Sequence, residues 1–267
     1  MATLVKDSTV PDTWIKTALN TMPCQRQLDS AGNPTDCVLT GVVRLAFCEY
    51  PYGGLLRPNK PMADTTGAAK EPKFTTVILF VPGADLSPLY SLYAETLAKL
   101  WSDKRMPNGA YPGLHSPFRD QAEKGNLHGY TPGGVFITAT SKFKPAVVDQ
   151  QMNPIVDEEQ VRSGVWANVL LRPFAYGRNP PQPKKGVSFG LQAVMVIGQD
   201  QRLSGGQVDA KSVFGGLGAI APTGDPASLF GGGQPPAAPK GVECFFCGAV
   251  KQSKGPCPEC GFDDRDS

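Results

Sequence analysis

Residues 164–176 read GVWANVLLRPFAY, a run in which side chains must alternate between two faces if it is a strand. Val165, Ala167, Val169 and Leu171 then share one face, and Trp166, Asn168, Leu170, Arg172, Phe174 and Tyr176 the other. The first set is apolar throughout and is expected to face a core. The second mixes Trp, Arg, Phe and Tyr, and leaving it in water is unfavourable unless something stacks on it.

Four further segments have the same β-branched and aromatic character: 37–50 (CVLTGVVRLAFCEY), 73–81 (KFTTVILFV), 134–143 (GVFITATSKF) and 186–197 (GVSFGLQAVMVI). Between the second and third, residues 87–101 (SPLYSLYAETLAKLW) carry Leu89, Leu92, Tyr93, Thr96, Leu97 and Leu100 at helical spacing. Ser87 is the expected N-cap there, with Pro88 opening the helix. Five principal strands and one marked helix predict an all-β class, a small closed five-stranded barrel with inserted loops, whose strand order the pattern leaves open.

The 267 residues are 40% hydrophobic, enough for a core of ordinary size. No apolar run approaches the roughly 18 residues of a membrane helix, and the first residues lack the pattern of a signal peptide, so a cytoplasmic protein without a membrane partner is expected. Composition divides the chain into a body, 1–203, a Gly/Pro/Ala-rich linker, 204–241, a cysteine-bearing unit, 242–262, and a short acidic tail, 263–267. The net charge of +2 hides an asymmetry: the body has 21 Lys and Arg against 17 Asp and Glu, the remainder 5 against 7. An anionic partner for the body is the consistent reading.

Two stretches sharpen that reading. Residues 160–199 contain no Asp or Glu, yet hold Arg162, Arg172, Arg178, Lys184 and Lys185 among Trp166, Phe174, Tyr176 and Phe189. Residues 129–148 are also free of acids and contain Ser141-Lys142-Phe143-Lys144. Aromatic rings stack on any nucleobase while basic groups follow the phosphates. Trp166, Phe174 and Tyr176 are therefore the stacking candidates, and Arg172, Arg178, Lys142, Lys144, Lys184 and Lys185 the phosphate contacts. A protein-interaction adaptor whose aromatic face meets other proteins is the rival. An enzyme is disfavoured: only His115 and His128 supply imidazoles, no phosphate-binding GxxxxGK[ST] loop is present, and no nucleophile, base and orienting group stand at workable spacing.

Of seven cysteines, Cys24, Cys37 and Cys48 are scattered and read as inert thiols. The other four form Cys244-x2-Cys247 and Cys257-x2-Cys260, each followed by Gly. Such knuckles turn backbone amides toward thiolate sulfur and set four ligands around one structural Zn²⁺ with no position left for water. A dithiol redox motif needs only one pair on a βαβ scaffold, which this pattern lacks.

With these residues in view, the body resembles a family of phage-encoded single-stranded DNA-binding proteins similar to those of T7-like phages. The likeness rests on Thr140-Ser141-Lys142-Phe143-Lys144-Pro145-Ala146-Val147-Val148-Asp149, Pro154-Ile155, Gly164, Lys185-Gly186-Val187 and Leu203-Ser204-Gly205-Gly206. Thr40-Gly41-Val42-Val43-Arg44-Leu45-Ala46-Phe47, the strand starting at Phe74, and Ser116-Pro117-Phe118-Arg119-Asp120 extend it. The resemblance implies an OB fold that binds single-stranded DNA with little sequence preference in phage replication and recombination, and it adds Arg44 and Arg119 as DNA contacts. It also implies replication proteins (polymerase, helicase or primase) as partners, with homo-oligomerisation open. This sequence departs from the family's acidic tail, so its ribbon and tail are expected to do the recruiting.

Purified protein should contain about one Zn²⁺ per chain, and chelation should leave the body's unfolding transition where it was. Metal analysis finding no zinc in protein prepared without chelators would refute the site.

Overall fold

The structure is a computed structural model that describes residues 4–51, 53–61, 70–178 and 184–203, with the backbone of 242–243 and 250–251. The chain divides into two compact units, Met1–Gly206 and Gln207–Ser267. In the first, helix α1 (Asp12–Thr21) precedes β1 (Gln25–Leu28), β2 (Pro34–Leu39), β3 (Val43–Ala46) and β4 (Phe74–Phe80). Helix α2 (Ser87–Leu100), β5 (Arg119–Asp120), β6 (Val135–Ser141), β7 (Ala146–Val148), β8 (Trp166–Tyr176) and β9 (Gly186–Gly198) follow. In the second unit, β10 (Val242–Glu243) pairs antiparallel with β11 (Val250–Lys251).

Pairing closes a circuit of five strands, β3-β4-β6-β9-β8 and back to β3. All contacts in it are antiparallel except β6 with β9, which run parallel at Ala139↔Phe189 and Thr140↔Gly190. This is the closed barrel of an OB fold, in agreement with the expected class. The expected strand at 37–50 is split: β2 and β3 both pair with β8, and between them Thr40 donates its N–H to Val169 O at 2.9 Å. Gly41 sits at this break because a Cβ there would lie 2.9 Å from Met22 O, at the end of α1.

Leu45, Ile78, Ile137, Val169, Leu171 and Phe189 fill the barrel, as alternation required, and α2 adds Leu89 and Leu92 to the same core. The α2 cap differs from expectation: Ser87 is the first helical residue, and Asp85 Oδ1 accepts its N–H at 2.9 Å and its hydroxyl at 2.6 Å. Cys24, Cys37 and Cys48 are free thiols, and burial pushes those of Cys24 and Cys48 up to about 11 and about 12.

The outer face of β8 departs from the sequence reading at its first half. Trp166, expected to face solvent, is 0% exposed, because α1 lies over it with Trp14 edge-on at 5.8 Å and Ile15 and Ala18 beside it. Its indole Nε1 donates to Asp200 Oδ2 at 2.8 Å. Arg44, expected at the DNA, is 1% exposed; its guanidinium lies 5.9 Å from the Trp166 ring and 3.4 Å from the Asp200 carboxylate. Four backbone carbonyls take its protons: Gly164 at 3.3 Å, Lys6 at 3.1 Å, Asp7 at 3.0 Å and Gln201 at 2.9 Å. Gly164 (φ 111°) admits this arrangement, since a Cβ would lie 2.2 Å from Gln201 O. Neither Trp166 nor Arg44 stands on the open surface on which it was expected; both lock the N-terminal segment and residues 199–203 to the barrel.

Trp166→Ala should therefore remove about 3 to 5 kcal/mol of stability, the cost of emptying a large core site, while the molecules that stay folded bind DNA normally. A denaturant titration with native-state binding measures both. Unchanged stability with lost affinity would restore Trp166 to the binding surface.

Candidate nucleic-acid interface

Past Leu171 the outer face of β8 opens to solvent. Its ladder with β9 shifts register between Leu170 and Leu171, and from there Arg172 and Phe174 are exposed. Phe174, 38% exposed, lines a groove of about 570 Å³ with Arg172, Arg26 and Gln192, against Leu92, Glu95 and Lys99. Arg172 Nε donates to Asp36 Oδ2 at 2.8 Å, and Arg26 pairs with Glu95 at 3.0 Å, so the basic groups here are held by carboxylates from distant parts of the chain.

At the far end of the same hairpin, Tyr176 is partly buried beside Tyr93, and that burial raises the pKa of its hydroxyl. Arg178 lies 5.4 Å from the Trp101 ring centroid and 3.5 Å from Asp103. Lys184 is exposed and Lys185 half-buried, with the Lys185 carbonyl accepting the N–H of His115 at 2.9 Å. Since β6 and β9 run parallel, this end of the hairpin is level with the start of β6, where Arg119 is paired opposite Phe136. Arg119 is exposed, ion-paired with Glu123, and its guanidinium lies 5.0 Å from the Phe136 ring.

The remaining candidates sit at the other end of β6. Lys142, Phe143 and Lys144 follow its last residue and are all exposed, and Lys142 Nζ is 2.7 Å from Glu71. Two basic clusters thus flank β6, whose seven residues span ~23 Å at strand rise. Between them, Thr138 on β6 is exposed and Thr75 and Val77 on β4 half-buried.

The sequence reading passed over several groups. Phe143 is 83% exposed, yet was not among the stacking candidates although its run was singled out. Tyr90 and Tyr93 on α2 meet Phe118 at 4.5 Å and 5.2 Å, and Phe118 meets Phe189 at 5.8 Å, so an aromatic series runs from the core to the exposed Tyr90. Phe118 stands in the family-like Ser116–Asp120 run, Tyr93 in the helical periodicity and Phe189 in an acid-free stretch, with no local pattern joining them. Arg26 and Lys99 belong to regions in which no pattern marked them.

Cys244, Cys247, Cys257 and Cys260, expected to hold zinc, lie outside the described residues. Among the described residues no group of three or more His, Cys, Asp or Glu side chains is placed to hold a metal ion. No described helix is long and apolar enough to cross a membrane.

Comparison with known proteins gives the following. The single-stranded DNA-binding protein of bacteriophage Enc34 is 17% identical over 72% of this chain and 98% of its own, with a TM-score of 0.45. Its complex with ssDNA is 16% identical over 68% and 98%, with a TM-score of 0.47. Gp2.5, a single-stranded DNA-binding protein encoded by bacteriophage T7, is 14% identical over 71% and 97%, with a TM-score of 0.42. No curated relative matches the chain. The family model described as Enterobacter phage Enc34, ssDNA-binding protein, matches residues 37–224, which takes in every strand of the barrel. The chain belongs to the family of the Enterobacter phage Enc34 ssDNA-binding protein.

Proposed function

We propose that this protein binds single-stranded DNA with little regard to sequence, protecting it during phage DNA replication and recombination. The observation that carries the reading is Phe143, a phenyl ring 83% exposed between two exposed lysines at the end of β6. β4 and β6 are the second and third strands of the barrel, the pair whose face binds oligonucleotides in OB folds. An exposed ring is unfavourable in water and is stabilised by a stacked base, worth about 1 to 3 kcal/mol whatever the base.

Lys142, Lys144 and Arg119 serve as phosphate contacts around this face, and Arg172, Arg178, Lys184 and Lys185 with Phe174 and Tyr176 extend it along the β8–β9 hairpin. Several of these cations already have carboxylate partners. Exposed pairs of that kind contribute roughly 0 to 1 kcal/mol, so phosphate oxygens can replace Glu71, Asp36 or Asp103 with little loss. The carboxylates hold the cations in place until DNA arrives.

The C-terminal unit is a zinc ribbon joined through a linker, its ion held by Cys244, Cys247, Cys257 and Cys260. Support comes from the donor set, four thiols in two Cys-x2-Cys-Gly runs, and from β10 and β11, which pair on either side of the positions of Cys244 and Cys247. Zinc gives such a unit its folding energy. The ribbon and the tail recruit replication proteins to DNA coated by the barrel.

Phe143→Ala should weaken binding to a dT oligomer by about 1 to 3 kcal/mol, and Lys142→Ala or Lys144→Ala should each reduce the slope of log K against log[salt] by about 0.7. Fluorescence titrations at several salt concentrations read both. Binding that is independent of salt and indifferent to Phe143 would remove the face around β6 from the DNA site.

A further inference from the structure

A second groove, of about 510 Å³, lies over the outer faces of β8 and β9, with Leu28, Leu39, Leu170, Met152 and Met195 among its walls and Asn168 beneath them. None of these residues has a part in the function described so far. Asn168 is 3% exposed. Its Nδ2 donates to Thr40 O at 3.2 Å, while its Oδ1 has no partner. The amide cannot simply turn over, because Oδ1 would then face the Thr40 carbonyl. The protein therefore keeps a buried acceptor unsatisfied, a condition that costs about 1 to 3 kcal/mol and that a ligand carrying an N–H would relieve.

The surroundings narrow the ligand's chemistry. Met195 stands directly across the ladder from Asn168, and Met152 is exposed at the rim. Both are unbranched and polarizable, suited to repacking against a flat ring. Arg26 is the sole charged residue lining the groove, and no carboxylate does. β7, which begins just past Lys144, leads from Phe143 to the groove, where Val148 lines the wall. Arg26 lines both this groove and the neighbouring one of Arg172 and Phe174, where its guanidinium meets Glu95.

We propose that this groove is a base-binding subsite: one unstacked nucleobase enters between Met152 and Met195 and donates an N–H of its pairing edge to Asn168 Oδ1, with the adjoining phosphate near Arg26. All four bases carry an N–H donor on that edge, so the subsite holds a base without selecting among them. The assignment rests on the single-stranded DNA reading and adds to it a position where the strand is gripped by its base.

Two measurements test it, with a dT oligomer and an oligomer of the same length carrying abasic sites. Ala193→Trp fills the groove from a half-buried position on β9. It should weaken dT binding about tenfold while changing the affinity for the abasic oligomer less than twofold. In the wild-type protein, the ¹³C-methyl resonances of Met152 and Met195 should shift on adding dT oligomer and stay in place with the abasic one, a readout that does not depend on the variant folding. Equal effects of Ala193→Trp on both oligomers, wild-type dT affinity in a folded variant, or unmoved methionine methyls would overturn the subsite and leave the groove to a protein partner. Failure of the wild-type protein to bind dT at all would instead overturn the DNA reading on which it rests.

Discussion

The N-terminal segment is fastened to one end of the barrel by a single buried carboxylate. Asp200 accepts hydrogen bonds from Ser8 Oγ, Thr9 N, Thr9 Oγ1, Gln201 N and Trp166 Nε1 and sits 3.4 Å from Arg44. Burial alone would raise its pKa, but the hydrogen bonds from Ser8 and Thr9 outweigh that and hold it below the ordinary value. Desolvating two opposite charges costs several kcal/mol per ion and is offset only when the remaining donors and acceptors are satisfied. Here they are, and by the ends of the folded body: Lys6 to Thr9 on one side, Gly164 and Gln201 on the other.

The position of the open surface follows from this constraint. With residues 4–10 fastened there and α1 packed on Trp166, the start of β8 is closed on both faces. What remains open is the groove over Asn168 and Leu170, the second half of β8, the β8–β9 hairpin end, and the two flanks of β6.

The five barrel strands were legible by alternation because their inward residues are mostly apolar, Thr76 on β4 being a buried exception whose hydroxyl bonds Ala46 O. Trp166 was misread for a reason internal to the same rule: alternation separates two faces but does not say whether a second layer covers the outer one. That layer is α1, whose Trp14, Ile15 and Ala18 carry no marked cap or long periodic run. Arg44 is buried where an open position was expected, because a family-like run shows which residues occur together and not whether they face solvent or core. The acid-free windows were accurate as sequence but blind to folding, which brings Asp36 to Arg172, Asp103 to Arg178 and Glu71 to Lys142. Phe118 and Tyr90 form their stack only through tertiary structure, so no local pattern announces it.

In the proposed function, DNA lies on the open half of this barrel while the Asp200 end stays closed. An amide and indole NMR titration with a dT oligomer tests it most directly, because the Trp166 Nε1–H bonded to Asp200 is a probe of the closed end. Large shifts are expected for the amides of residues 141–144, 172 and 174–176 at saturation, with the Trp166 indole resonance unmoved. A shifted Trp166 indole, with the amides of 141–144 unaffected, would contradict it.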